Sequence, residues 1–191
     1  MPCVDGEERP YLSLDSAAST APLESVRDRV YEFLPWYSSI HRGAGYKSRV
    51  ATAAYEEARL AALRFADRHG DDIAIFCRNT TEAINILAYR LRLSRHDIVV
   101  TTVVEHHANL LPWSRAATCR YVECDARGTF GVEDIRKALD TTPLPRLLAI
   151  TGASNITGWL PPIDEIIAAA HAVGVRVLVD AAQLAPHRPL P

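Results

Sequence analysis

The sequence predicts an α/β fold, a parallel-rich sheet with helices on both faces. Two observations carry this. From residue 73 onward, apolar runs of strand length alternate with segments of helical spacing, the pattern of strands joined by crossover helices. Runs such as Val175-Arg176-Val177-Leu178-Val179 are nearly continuous in apolar residues, as strands buried on both faces require.

The elements follow in order. Tyr11 to Leu14 reads as a short strand. After Pro22, apolar residues at Leu23, Val26, Val30 and Leu34 have helical spacing. Tyr37 to Arg49 reads as a loop centred on His41-Arg42-Gly43. Ala51 to Arg68 is a helix dense in Ala, Glu and Arg, with Gly70 as its stop signal. The alternating part then gives five expected strands, at Ile73–Cys77, Asp97–Thr102, Arg120–Glu123, Arg146–Thr151 and Val175–Val179. The expected helices between them are Thr80–Leu91, His107–Arg115, Val132–Leu139 and Ile163–Val173. Residues 1–50 form an N-terminal arm with a helix, and 51–191 a larger α/β unit.

Composition narrows the function classes. The chain has 191 residues, 48% hydrophobic and 23% charged, enough for a globular core. A net charge of -2, with the arginines between 27 and 64 interleaved with acids, gives no basic face for nucleic acid. No apolar run is long enough to span a bilayer, and Met1 to Pro10 lacks an apolar signal core. Cys3, Cys77, Cys119 and Cys124 form no C-x-x-C pair; free thiols in a reducing cytoplasm are expected.

Ligands of parallel sheets bind outside the carboxyl ends of the strands, so the polar residues that follow strands are the candidates. Thr80-Thr81-Glu82 opens a helix, where free N–H groups and the helix dipole favour an anion such as phosphate. The plainer reading is an ordinary cap with an acid in the first turn. Glu105-His106-His107-Ala108-Asn109 offers a histidine able to stack on a flat ring or move protons; the plainer reading is a satisfied polar loop. A metal site is disfavoured, because adjacent histidines point apart and no H-E-x-x-H is present. Asp180 ends a buried strand, where a carboxylate can hold a heterocyclic nitrogen protonated or merely cap a turn. Gln183 is within reach of the same ligand if Ala181 and Ala182 turn tightly. No G-x-G-x-x-G follows a strand, which argues against a dinucleotide site.

Singly these signals favour the plainer readings, but their order is specific. Thr-Thr-Glu-Ala-Ile-Asn, Glu-His-His-Ala-Asn-Leu-Leu-Pro-Trp, Ser-Asn-Ile-Thr-Gly and Val-Asp-Ala-Ala-Gln, in that order, resemble the large domain of class V aminotransferase pyridoxal-phosphate enzymes, in particular cysteine desulfurases and selenocysteine lyases. Tyr11-Leu12-Ser13-Leu14-Asp15-Ser16-Ala17-Ala18 and His41-Arg42-Gly43 resemble the N-terminal segment of that group. The resemblance implies the N-terminal portion of a fold type I large domain, partial over 51–191, with pyridoxal 5'-phosphate as cofactor and an amino acid as substrate. It also implies a cytoplasmic protein, homodimeric at full length. By the same resemblance, Thr80 and Thr81 hold the cofactor phosphate, His106 stacks on the ring and shuttles protons as the catalytic residue, and Asp180 pairs with the pyridine nitrogen. Asn155 and Gln183 lie near the phenolic oxygen, while His41 and Arg42 sit at a substrate entrance or a dimer interface.

Two departures stand out. Asn79 occupies a position usually held by Gly, which raises the question of its backbone angles. The family's cofactor-binding lysine follows Val-Asp-x-Ala-Gln by some tens of residues in a Ser-x-His-Lys motif. The only lysines here are Lys47 and Lys137, and neither matches. Two expectations therefore stand side by side: part of an enzyme that is inactive by itself, or a non-catalytic remnant or binding module of the same family.

Overall fold

A computed structural model describes residues 1–68 and 70–190. The chain divides into two compact units, Met1–Leu60 and Ala61–Pro191.

In the N-terminal unit, α1 (Glu24–Phe33) follows Pro22-Leu23 and runs into a short turn of 3-10 helix at Leu34–Trp36. Helix α2 (Tyr46–Phe65) begins one turn earlier than its Ala-rich stretch suggests. Ser48 Oγ donates to Ser39 O at 2.8 Å and His41 N donates to Thr52 Oγ1 at 3.0 Å, so the first turns are tied to the preceding loop. Tyr11 to Leu14, expected as a strand, forms none. Tyr11, Leu12 and Leu14 are all exposed, and a strand needs a hydrogen-bonded neighbour as well as an alternating pattern.

The second unit holds α3 (Thr80–Arg90), β1 (Ile98–Thr102), α4 (His107–Ala116), β2 (Thr118–Val122), α5 (Val132–Leu139), β3 (Leu147–Thr151), α6 (Ile163–Ala172) and β4 (Arg176–Asp180). The four strands are parallel in the order β2-β1-β3-β4. Central strands β1 and β3 are buried along their whole length. Alternate residues serve two layers: Val100, Leu148 and Ile150 pack with Ile135, Leu139 and Ile166 of α5 and α6. Val99, Leu147 and Ala149 pack with Ile84 and Ala88 of α3 and Trp113 of α4. That double demand produces the unbroken apolar runs in the sequence.

The expected fifth strand is a correction. Ile73 to Cys77 is not assigned to the sheet, and its large side chains are exposed, Ile73 by 69% and Ile75 by 72%. A short apolar run reveals a tendency to extend but not a ladder partner. The sheet therefore has four strands among the described residues.

Candidate functional site

The carboxyl ends of β3 and β4 and the amino ends of α3 and α4 surround a cleft of about 220 Å³. Thr80, Thr81, His106, Asn155, Asp180 and Gln183 all line it, with Asn79, Thr151 and three alanines completing the wall. His41 and Arg42 belong to the N-terminal unit, where His41 Nε2 lies 2.9 Å from Glu56 Oε1 and the His41 ring meets Tyr55 edge-on.

At one end of the cleft, Asn79 caps α3. Its side-chain oxygen accepts from Glu82 N at 2.8 Å. Its φ of -167° is ordinary extended backbone, so the departure from glycine brings no conformational strain. Glu82 reaches back to accept from Arg78 N at 2.7 Å and from the exposed Arg78 guanidinium. This hydrogen bonding holds the Glu82 carboxyl below its usual range. With Glu82 N taken by the cap, the N–H groups of Thr80 and Thr81 at the head of α3 have no intrahelical acceptor and, with their hydroxyls, form the donor end of the cleft. Asn79→Ala is expected to destabilise the unit by about 0.5–2 kcal/mol and Asn79→Gly by only a few tenths, measured by urea unfolding.

His106 caps α4, its Nδ1 accepting from Ala108 N at 3.1 Å. That bond requires an unprotonated Nδ1, so the neutral ring carries its hydrogen on Nε2. His106 is exposed and lines the cleft, where an imidazole can stack on a planar ligand. Its neighbour His107 is tilted by 42° at 6.2 Å between ring centres.

Asp180, the last residue of β4, is 7% exposed. Its Oδ1 accepts from Ala182 N at 3.0 Å in the tight turn that brings Gln183 to the cleft. Gly152 donates from its backbone N to Asp180 O at 2.8 Å. A Cβ at Gly152 would lie 3.0 Å from Leu184 Cδ2 and 3.2 Å from Val179 Cγ1, so glycine lets the chain after β3 approach the end of β4. Asn155 sits exposed in the following turn, which is held by Ser154 Oγ accepting from Ile156 N and Thr157 N.

Sequence reasoning gave Glu105 no role. It is buried, and burial pushes its carboxyl up to about 7. Thr102, Asn109 and the Thr151 amide oppose that rise, and the nearby Asp180 charge adds to it. Between about pH 4.5 and 7 the folded chain keeps a proton on Glu105 that the unfolded chain has released. This group's contribution to stability therefore falls as pH rises through that window, by on the order of 3 kcal/mol, and is flat above it. Comparing urea midpoints of wild type and Glu105→Gln at about pH 5 and about pH 8 checks this: the variant should lose that part of the slope. A readable signal for the site existed in the spacing of Glu105, Asn109 and Trp113, four residues apart.

The cleft combines a helix terminus with two hydroxyls, an exposed flat imidazole and a buried carboxylate. That donor set fits a small planar heterocycle bearing a phosphate: phosphate at the α3 terminus, ring on His106 and ring nitrogen at Asp180. Comparisons with known proteins identify the family. The Aminotransferase class-V family profile matches residues 12–191. A probable cysteine desulfurase of Synechocystis is 35% identical over 190 residues, covering 95% of this chain and 45% of the relative. A cysteine desulfurase of Yersinia pseudotuberculosis is 38% identical, covering 95% and 47%. The crystal structure of a cysteine desulfurase from Escherichia coli superposes with a TM-score of 0.76 at 33% identity, covering 93% of this chain and 46% of that one. The chain thus spans about half the length of the curated relatives it matches. No helix among the described residues is long and apolar enough to cross a membrane. With its four-stranded parallel sheet between two helical layers, this chain belongs to the class V aminotransferase family and has the fold of the N-terminal portion of a fold type I large domain.

Proposed function

We propose that the cleft binds pyridoxal 5'-phosphate, and that the chain is the cofactor-cradling part of a cysteine desulfurase-like protein acting on an amino acid. The observation that carries this reading is the meeting of the α3 terminus, His106 and Asp180 around one cleft. When bound, pyridoxal phosphate supplies an electron sink for negative charge at the α-carbon of an amino acid. Thr80 and Thr81 would anchor the phosphate through hydroxyls and amides. His106 would cover one ring face and, with Nε2 as its exchangeable site, hold or move a proton. The Asp180 carboxylate would keep the pyridine nitrogen protonated by favouring its charged form. Asn155 and Gln183 would donate to the phenolic oxygen. The proposal includes a cytoplasmic protein that is homodimeric at full length, with His41 and Arg42 at a substrate entrance or subunit interface.

A second reading is a non-catalytic binding module of the family, and the placement of the described lysines bears on how the cofactor would be held. Lys47 belongs to the N-terminal unit. Lys137 is exposed on α5, whose packing partners lie on the sheet face opposite that of α3 and α4. No lysine lines the cleft among the described residues, so these residues alone would hold the cofactor reversibly, without an amine to accept and return the α-proton.

Absorbance spectra with added pyridoxal phosphate, followed by borohydride reduction and peptide mapping, test both. The expected result is reversible uptake, no stoichiometric label on Lys47 or Lys137, and no sulfide from cysteine. Stoichiometric labelling of either lysine together with sulfide release would overturn it.

A further inference from the structure

Beneath the cleft lies a hydrogen-bonded chain that the proposed cofactor contacts leave unused. Glu105 Oε1 accepts from Thr102 Oγ1 at 2.7 Å and from Thr151 N at 3.0 Å. Its Oε2 accepts from Asn109 Nδ2 at 2.7 Å, and Asn109 Oδ1 in turn accepts from Trp113 Nε1 at 3.0 Å. Asn109 and Trp113 are fully buried, so every polar atom in the chain depends on these partners.

The three partners of the carboxylate belong to three elements, β1, β3 and α4, and the last two contribute Thr151 and Ala108 to the cleft wall. Thr102 ends β1. Thr151 ends β3, lines the cleft and stands opposite Asp180 in the β3–β4 register. Asn109 lies in the first turn of α4, whose cap is His106. One side chain therefore ties the strand edge carrying Asp180 to the helix start carrying His106. Stability alone does not favour a carboxylate here: burial disfavours its ionised form, and an apolar side chain of similar volume in place of a buried charge is often neutral or stabilising.

We infer that Glu105 is a positioning residue of the cofactor cleft, its carboxylate fixing the His106 ring relative to Asp180 by joining the ends of β1 and β3 to the first turn of α4. The inference rests on reading the cleft as a pyridoxal-phosphate site. Glu105 touches no cofactor; it acts through the ring-binding residues and not through the phosphate end at Thr80 and Thr81.

The hydrogen-bond pattern dictates the variants. Glu105→Gln keeps the shape but has one acceptor oxygen. Whichever way the amide turns, its NH2 group meets a group that can only donate, either Asn109 Nδ2 or Thr151 N. The double variant Glu105→Gln with Asn109→Asp restores the pattern, because the introduced amide then donates to the introduced carboxylate, which still accepts from Trp113 Nε1. The measurements are the dissociation constant of pyridoxal 5'-phosphate and its induced circular dichroism, the dissociation constant of inorganic phosphate, and the amide exchange of the unliganded chain. Glu105→Gln is expected to weaken pyridoxal-phosphate binding on the order of tenfold, the equivalent of one misdirected hydrogen bond, and to diminish the induced dichroism. Phosphate affinity should be unchanged and the exchange at Thr151 N or the Asn109 side chain faster. The double variant should recover all of these. Equal loss of pyridoxal-phosphate and phosphate affinity, no loss of either, or failure of the double variant to recover would overturn the inference. If wild type takes up no pyridoxal phosphate, the cofactor reading fails by itself; the positioning role then falls too only if Glu105→Gln leaves exchange at Thr151 N and Asn109 unchanged.

Discussion

Asp180→Asn is expected to lower the affinity for pyridoxal 5'-phosphate by roughly ten- to hundredfold, the worth of a charge-assisted hydrogen bond in a site partly closed to water. The substitution separates two roles of one side chain. An asparagine oxygen still accepts from Ala182 N, as Asp180 Oδ1 does at 3.0 Å, so the turn that presents Gln183 is retained. What is lost is the negative charge that holds the pyridine nitrogen in its protonated form. The loss should be far smaller for inorganic phosphate, which engages only the head of α3. Fluorescence titration with both ligands checks the claim. Equal affinities of wild type and variant for pyridoxal phosphate would remove Asp180 from the site.

The largest stability effect is expected from Trp113→Ala, about 3–5 kcal/mol. Trp113 is fully buried against Ile84, Ala88, Val99 and Leu147, so truncation opens a cavity between the sheet and the layer of α3 and α4. It also leaves Asn109 Oδ1 without the Trp113 Nε1 donor, and an orphaned buried acceptor adds to the cost. Against the 5–15 kcal/mol typical of a whole domain, such a loss leaves little margin. Urea unfolding followed by far-UV dichroism reads it; a change below about 1 kcal/mol would mean that this layer is not the core described above.

The sequence made the layers legible where two neighbours act on one strand. Strands β1 and β3 are buried by helices on both sides, and that requirement is written directly into Val99-Val100 and Leu147-Leu148-Ala149-Ile150. The helix starts were legible at Thr80 and Val132 because caps and first-turn acids are local signals. Ile73 to Cys77 misled because exposure and ladder partners are not local. Its apolar run has strand length, yet Ile73 and Ile75 face solvent. Asn79 misled for a different reason: the concern was backbone freedom, while the side chain serves as a cap.

The site was legible as a set of positions after strands, and the family resemblance supplied the proposed role of each. The structure adds that Thr80, Thr81, His106, Asn155, Asp180 and Gln183 share one cleft. The Glu105 chain was not read, because a glutamate before His106-His107 looks like loop polarity until the amide of Thr151, 46 residues away, is seen to donate to it.

The most direct test of the account is a crystal structure of this chain soaked with pyridoxal 5'-phosphate. The predicted result is one molecule in the cleft, its phosphate at the amides and hydroxyls of Thr80 and Thr81, its ring stacked on His106 and its pyridine nitrogen within hydrogen-bond distance of Asp180. An empty cleft at saturating ligand, or a molecule bound with its phosphate away from the head of α3 and its ring off His106, would contradict it.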